Sequence, residues 1–262
     1  MVLDIYAGSM ARFFLRSYQT PLQRYADKVG AKHSFLTPPP KGLSVDKTKS
    51  KLFEFKHNLH RLIGEEYPDI SQWNDRATDY HVRQLHYACL DSLYIVSRCA
   101  YHLQFVRPNR IDDDQENYPD FPELSEEEEN DGAIKALSCH LYLPSKGRLF
   151  VETKDILERD IDVTSLTQLK FGLGIIAQKV WGNKIDSEKW VQQGAVLHEE
   201  DAECEDIVMH NAQYAFAVLH LALGFALNFN VPIILEFDYK RELIQDGQTQ
   251  NIDPVLVDMP LN

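Results

Sequence analysis

The chain has 262 residues, 44% hydrophobic and 11% aromatic, with a formal charge of −13, and a chain of this size buries roughly three-quarters of its unfolded surface. Charged residues make up 26% and neither glycine nor proline is in excess, which excludes collagen-like and wholly disordered classes. The acidic balance also disfavours DNA or RNA as a direct ligand, because phosphates call for a positive surface.

Residues 2 to 7, VLDIYA, alternate Leu3 and Ile5 with Asp4 and Tyr6 and read as a first strand rather than a signal peptide. Thr20 as cap, Pro21 in the first turn and Gly30 as left-handed stop predict a helix over 21 to 29. TPPPKG, 37 to 42, is an extended connection. Leu52, Phe55, Leu59 and Leu62 recur at helical spacing up to Gly64, which puts the lysines of this segment on a wet helix face. Residues 79 to 105 read as one long core helix presenting Val82, Leu85, Cys89, Leu93, Val96, Ala100 and Leu103 to the interior.

Beyond an acidic block the period changes. Residues 137 to 143 and 148 to 153 read as a hairpin turning at Pro144 to Gly147, and Thr164 or Ser165 caps a helix ending at Trp181 before Gly182. From Ile207 to Leu235 there is no Asp, Glu, Lys or Arg, a run long enough to span a membrane. His210, Asn211, Gln213, His220, Asn228 and Asn230 interrupt it and Pro232 ends its helical part, so it reads as a buried helix from about Asp201 to Phe229 followed by a buried last strand, VPIILEFD. The expected fold is α+β, a single domain over 1 to 262 with about four strands in a small mixed sheet packed by five or six helices.

Charge is arranged in blocks. Residues 1 to 110 carry 16 Lys and Arg against 10 Asp and Glu, residues 111 to 131 carry 11 acids and no base, and 132 to 262 carry 11 bases against 19 acids. Eleven mutually repelling carboxylates, interrupted by Pro119 and Pro122, predict a mobile acidic loop over 111 to 131. It is either a solvated connection or a docking surface for a basic protein, since a concentrated negative field speeds encounter with a cationic partner. The docking residues are then Asp112, Asp113, Asp114, Glu116, Glu126, Glu127, Glu128 and Glu129, with Tyr118 and Phe121 as aromatic anchors.

Candidate chemistry is weak at each place it occurs. Gly172, Gly174 and Ala177 match the letters of a dinucleotide fingerprint but lie inside a predicted helix instead of following a strand, and close helix packing accounts for them better. His198, Glu199, Glu200, Asp201, Cys204, Glu205, Asp206 and His210 supply metal donors without a recognised ligand spacing, and acids before a helix favour its dipole unaided. Glu236 and Asp238 share one face of the last strand, with Asp4 beside them if the first and last strands are neighbours, an arrangement able to hold a metal or to act as acid and base. No nucleophile elbow or phosphate loop appears, and the four cysteines, widely spaced and without a C-x-x-C pair, fit a reducing compartment.

The opening LDIYAG, the aromatic and basic segment after it and the short helix ending in Gly30 resemble a group of uncharacterised bacterial proteins, with a fainter likeness in the uncharged helix and VPIILEFD. The resemblance implies a bacterial cytosolic origin and brings no catalytic residues with it. The expected function is that of an immunity-type interaction protein of the cytoplasm, which binds and neutralises a cationic toxin without a cofactor, a metal, a nucleic acid or a membrane. The alternatives are a small metal-dependent enzyme and a non-catalytic adaptor.

Overall fold

The computed structural model describes residues 2–30, 42–110, 119–182, 184–196, 205–238, 243–245 and 248–250. Its centre is a six-stranded mixed sheet. Strand β1 (Val2–Ala7) pairs antiparallel with β2 (His81–His86) on one side and with β6 (Ile233–Asp238) on the other. Next to β6 lies β3 (Leu141–Leu143), then β5 (Asp160–Ser165) parallel to β3, then β4 (Phe150–Lys154) at the edge. A separate hairpin joins β7 (Leu243–Gln245) to β8 (Gln248–Gln250).

The alternation read in β1 splits the core in two. Leu3, Ile5 and Ala7, with Ile233 and Leu235, face a cluster built on α4 (Tyr87–Tyr101), α7 (Leu166–Trp181) and α9 (Ile207–Phe229). Tyr6 and Ile234 face a second cluster with α1 (Met10–Phe14) and α3 (Val45–Ile63). Both faces of the sheet are therefore covered, and Asp4 and Glu236, on the second face, are taken out of water. The uncharged run forms α9 and β6, and twelve of the side chains of α9 are buried. It is the one described helix long and apolar enough to cross a membrane, and here it is a core element packed against α4, α7 and α8 (Ser187–Gln193).

Several helices end where the sequence says. Thr20 and Gln23 form a capping box at the start of α2 (Pro21–Val29), and Gly30 closes it at φ 70°. Ser44 and Ser165 cap α3 and α7, and Gly182 stops α7 in the left-handed region. Gly172 serves close packing, since a Cβ there would meet the Cα of Ala133 at 3.0 Å, whereas Gly174 faces open space.

The α+β class stands, with six strands in the main sheet and nine helices among the described residues in place of about four and five or six. Two local expectations are corrected. The predicted helix 79–105 is a strand followed by a helix: β1 offers a free edge to residues 81 to 86, and α4 starts only where His86 Nδ1 accepts the Ala88 amide at 3.2 Å. Leu103, expected inside, is exposed. The predicted hairpin of β3 with β4 does not form, because β5 inserts between them. The turn that joins β4 to β5 is organised by Asp155, whose Oδ1 accepts the amides of Leu157 and Arg159.

The acidic block is also corrected in part. Residues 111 to 118, with Asp112, Asp113, Asp114, Glu116 and Tyr118, lie outside the described residues. Glu126–Asp131, expected as loop, forms the helix α5, followed by α6 (Ala133–Leu137). Four glutamates in its first turn favour the positive end of the helix dipole, Ser125 and Glu128 close a capping box, and Gly132 ends it at φ 62°.

Candidate functional site

The carboxylates of the central strands come together as the sequence allows. In the β1/β6 ladder Asp4 stands opposite Glu236, and Asp238 occupies the register position opposite Val2. Asp4 is fully buried and accepts from Gln84 Nε2 at 3.3 Å. Both Glu236 oxygens are taken by the Arg16 guanidinium, which also donates to Tyr18 Oη at 2.8 Å and lies over the Phe13 ring. Burial works against the charge of Arg16, but the bonds to Glu236 outweigh it and hold the guanidinium pKa above its ordinary value. Arg16 adopts φ 53°, a left-handed conformation that costs a non-glycine residue about 1–2 kcal/mol, so the surrounding contacts hold the clamp in place. Arg159 Nη1 stands 3.9 Å from the same carboxylate. This arrangement neutralises acid inside the fold.

The other candidates for chemistry have structural partners. Among the described residues no three His, Cys, Asp or Glu side chains are grouped to hold a metal. Residues 198 to 204 lie outside the described part of the chain. Asp206 caps α9 by accepting the Met209 amide and pairs with Arg107, and His210 Nε2 lies 2.9 Å from the Gly194 carbonyl. Burial first, and then Asp162, push the Cys139 thiol up to about 12 against the pull of Lys135, which leaves it without thiolate character at neutral pH.

Two residues expected to dock a partner are engaged internally. Glu128 is fully buried, 2.7 Å from Arg98 Nε and 2.8 Å from His102 Nε2, where it ties α5 to α4. Phe121 is half-buried under the Arg98 guanidinium and against the rings of Tyr94, His102 and Phe105. Glu126, Glu127 and Glu129 are exposed, and Glu127 pairs with Lys179 at 2.8 Å.

A groove of about 790 Å³ runs between α3 and the β4/β5 hairpin. Six acidic residues line it, Glu54, Glu152, Asp155, Glu158, Asp160 and Asp162, with three basic ones, Lys51, Arg61 and Lys154. Asp155 is held by Arg159 and Asp160 by Lys154, whereas Glu54 and Glu152 are exposed and pair with no cation among the described residues. Apolar wall comes from Phe55, Ile156, Ile161 and Leu62. Leu62 was expected to face the core but is 56% exposed, because α3 ends at its level over the groove. A smaller cavity of about 180 Å³, with Phe13, Phe14 and Glu236 in its lining, shares Asp155, Asp160 and Ile161 with the groove. Net charge by block pointed to acid, but not to this place, since α3 lies in the basic block and the hairpin is far away in sequence.

Compared with models of protein families, with curated proteins and with solved structures, the chain finds no match.

Proposed function

We propose that this chain is an immunity-type interaction protein of the bacterial cytoplasm, which receives a basic protein toxin in the groove between α3 and the β4/β5 hairpin and masks it. The observation that carries the reading is the lining of that groove, six acidic residues against three basic ones. A cationic surface that enters it and wraps the outer edge of β4 meets Glu54 on the α3 side and Glu152 on the opposite face of the strand, neither paired with a cation among the described residues, so Coulomb attraction is gained at little cost in lost pairs. The sheet carboxylates Asp4 and Glu236 favour this reading over a metal-dependent enzyme, because they are consumed by Gln84 and Arg16.

The test is protection. Each protein encoded beside this gene is expressed alone and together with this chain, and a product that is lethal alone and tolerated together identifies the toxin. Against that toxin, Glu54→Lys with Glu152→Lys should abolish protection and weaken binding by about tenfold or more, as expected for reversing two contact charges, with the fold unchanged. Full protection by the doubly reversed variant would overturn the groove as the docking site. Binding without protection would leave an adaptor in place of an inhibitor.

A further inference from the structure

Among the described residues β4 is the last strand of the sheet, bonded to β5 alone. Among the described residues no backbone or side-chain group hydrogen-bonds to its outer edge over Phe150–Lys154. At the other end of the sheet β2 is contacted by α2. An uncovered strand edge is a row of unmet amides and carbonyls, and proteins that gain nothing from one usually cover or break it. Here Glu152, Thr153 and Lys154 also line the acidic groove, so the edge and the charge occupy one place.

The pleat decides what such an edge accepts. Val151 and Thr153 stand opposite Val163 and Ile161 and lie on the α3 side of the sheet, where Val151 and Ile161 pack against the second core cluster. Glu152 and Lys154 point to the other face and are exposed, and Lys154 is already paired with Asp160. A strand added alongside would set every second side chain next to Val151 and Thr153, and the intervening one next to Glu152.

We infer that β4 is a strand-addition edge: an extended segment of the basic partner adds as a seventh strand, with apolar residues beside Val151 and Thr153 alternating with a Lys or Arg that meets Glu152. This rests on the reading of the groove as the site of a basic partner, and specifies how that partner is held. Main-chain bonds give the affinity and the alternation gives the register. A second copy of this chain is the poorer occupant, since each copy brings a charge of −13 and the same acid-rich hairpin.

The probe is a synthetic eight-residue peptide of alternating arginine and valine, added to the full chain. Two further versions carry N-methyl groups on every second residue, one set on each edge of the extended peptide. Hydrogen exchange should slow at the outward amides within 150 to 154, and one methylated version should bind about tenfold or more weaker while the other binds as the parent does, the loss expected for one or two backbone hydrogen bonds. Equal binding of all three peptides, protection confined to other elements, or no binding at millimolar peptide would overturn strand addition. So would dimerisation of the chain through β4 in the absence of peptide. The underlying reading is judged separately by Glu54→Lys with Glu152→Lys: if charge reversal weakens the parent peptide while methylation of either edge changes nothing, the basic-partner groove stands and strand addition falls. If peptide binding ignores both charge reversal and salt, the groove reading falls too.

Discussion

Arg16→Ala removes the counter-charge of Glu236 from a site where both side chains are less than a tenth exposed. Breaking a buried pair by deleting one partner costs about 3–5 kcal/mol, because the remaining charge stays buried without compensation. Arg159, 3.9 Å from Glu236 and half-exposed, supplies a partial substitute, which places the expected cost near the lower end, about 3 kcal/mol. The left-handed backbone at residue 16 allows a second measurement. Arg16→Gly loses the same clamp but relieves the strain that alanine retains, so it should be about 1 kcal/mol more stable than Arg16→Ala. Urea unfolding followed by tryptophan fluorescence, which reports on Trp73, Trp181 and Trp190, gives both numbers from the midpoint at constant slope. A cycle with Glu236→Gln should return a coupling of about 2 kcal/mol or more. Arg16→Ala within 1 kcal/mol of wild type, or equal stability of the alanine and glycine variants, would refute a buried clamp held in a strained conformation.

Three further outcomes follow from burial. Desolvation, then the charges of Arg83 and Arg24, hold His81 down at about 4; the unfolded chain takes up that proton near pH 6.5, so stability is full above that pH and falls toward pH 4 by on the order of 3 kcal/mol. His81→Phe should flatten this decline, measured as urea midpoints at pH 7 and pH 5. Burial alone would raise the Glu128 pKa, but the Ser125 amide and hydroxyl, His102 and Arg98 together lower it. Its contribution is therefore fully present above the ordinary glutamate value and is lost as pH falls through the lower, folded one; Glu128→Gln should be less stable than wild type at pH 7 and converge with it in strong acid. Gly172→Ala should destabilise by about 1–3 kcal/mol, because its Cβ has only the Ala133 backbone to displace, while Gly174→Ala should stabilise by up to about 1 kcal/mol, both read as melting temperatures.

What the sequence reveals of this fold depends on whether an element is specified by its own residues. β1, β6, α2, α3 and α7 carry their periodicity, caps and stops within themselves, and all five lie where the residues place them; α9 ends at Phe229 as expected but starts at Ile207, capped by Asp206, and not at about Asp201. β2 does not: Val82, Leu85 and Cys89 fit a helical stripe as well as a strand, and pairing with β1 decides the matter. β5 was missed because its turn, Asp155 to Arg159, has no glycine or proline and is built by one aspartate side chain. The start of α5 was in fact written in Ser125 and Glu128, a capping-box spacing overlooked beside the repulsion of its neighbours. For the candidate site, the meeting of Asp4 with Glu236 follows from strand faces alone. Their neutralisation by Arg16 could not be read, because it depends on the path of the chain after α1.

The acidic surface of α5 and Glu54 of the groove lie on opposite faces of the sheet, since α5 is tied to α4 in the first layer and Glu54 belongs to α3 in the second. Sheet and helix layers stack at about 10 Å, whereas charge is screened over about 8 Å at physiological salt. The carboxylates of Glu126, Glu127 and Glu129 are thus about a screening length or more from a cation seated beside Glu54 in the groove, and act on it only during approach. Replacing them with Gln should slow association at low salt, leave the dissociation rate unchanged, and have little effect at physiological salt. Replacing Glu54 and Glu152 should raise the dissociation rate at every salt concentration, because those side chains touch the bound partner. Stopped-flow association and dissociation against the identified toxin separate the two. Should the α5 variant dissociate faster, its surface belongs to the contact, and the partner must extend past Glu152 across the first-layer face as far as α5.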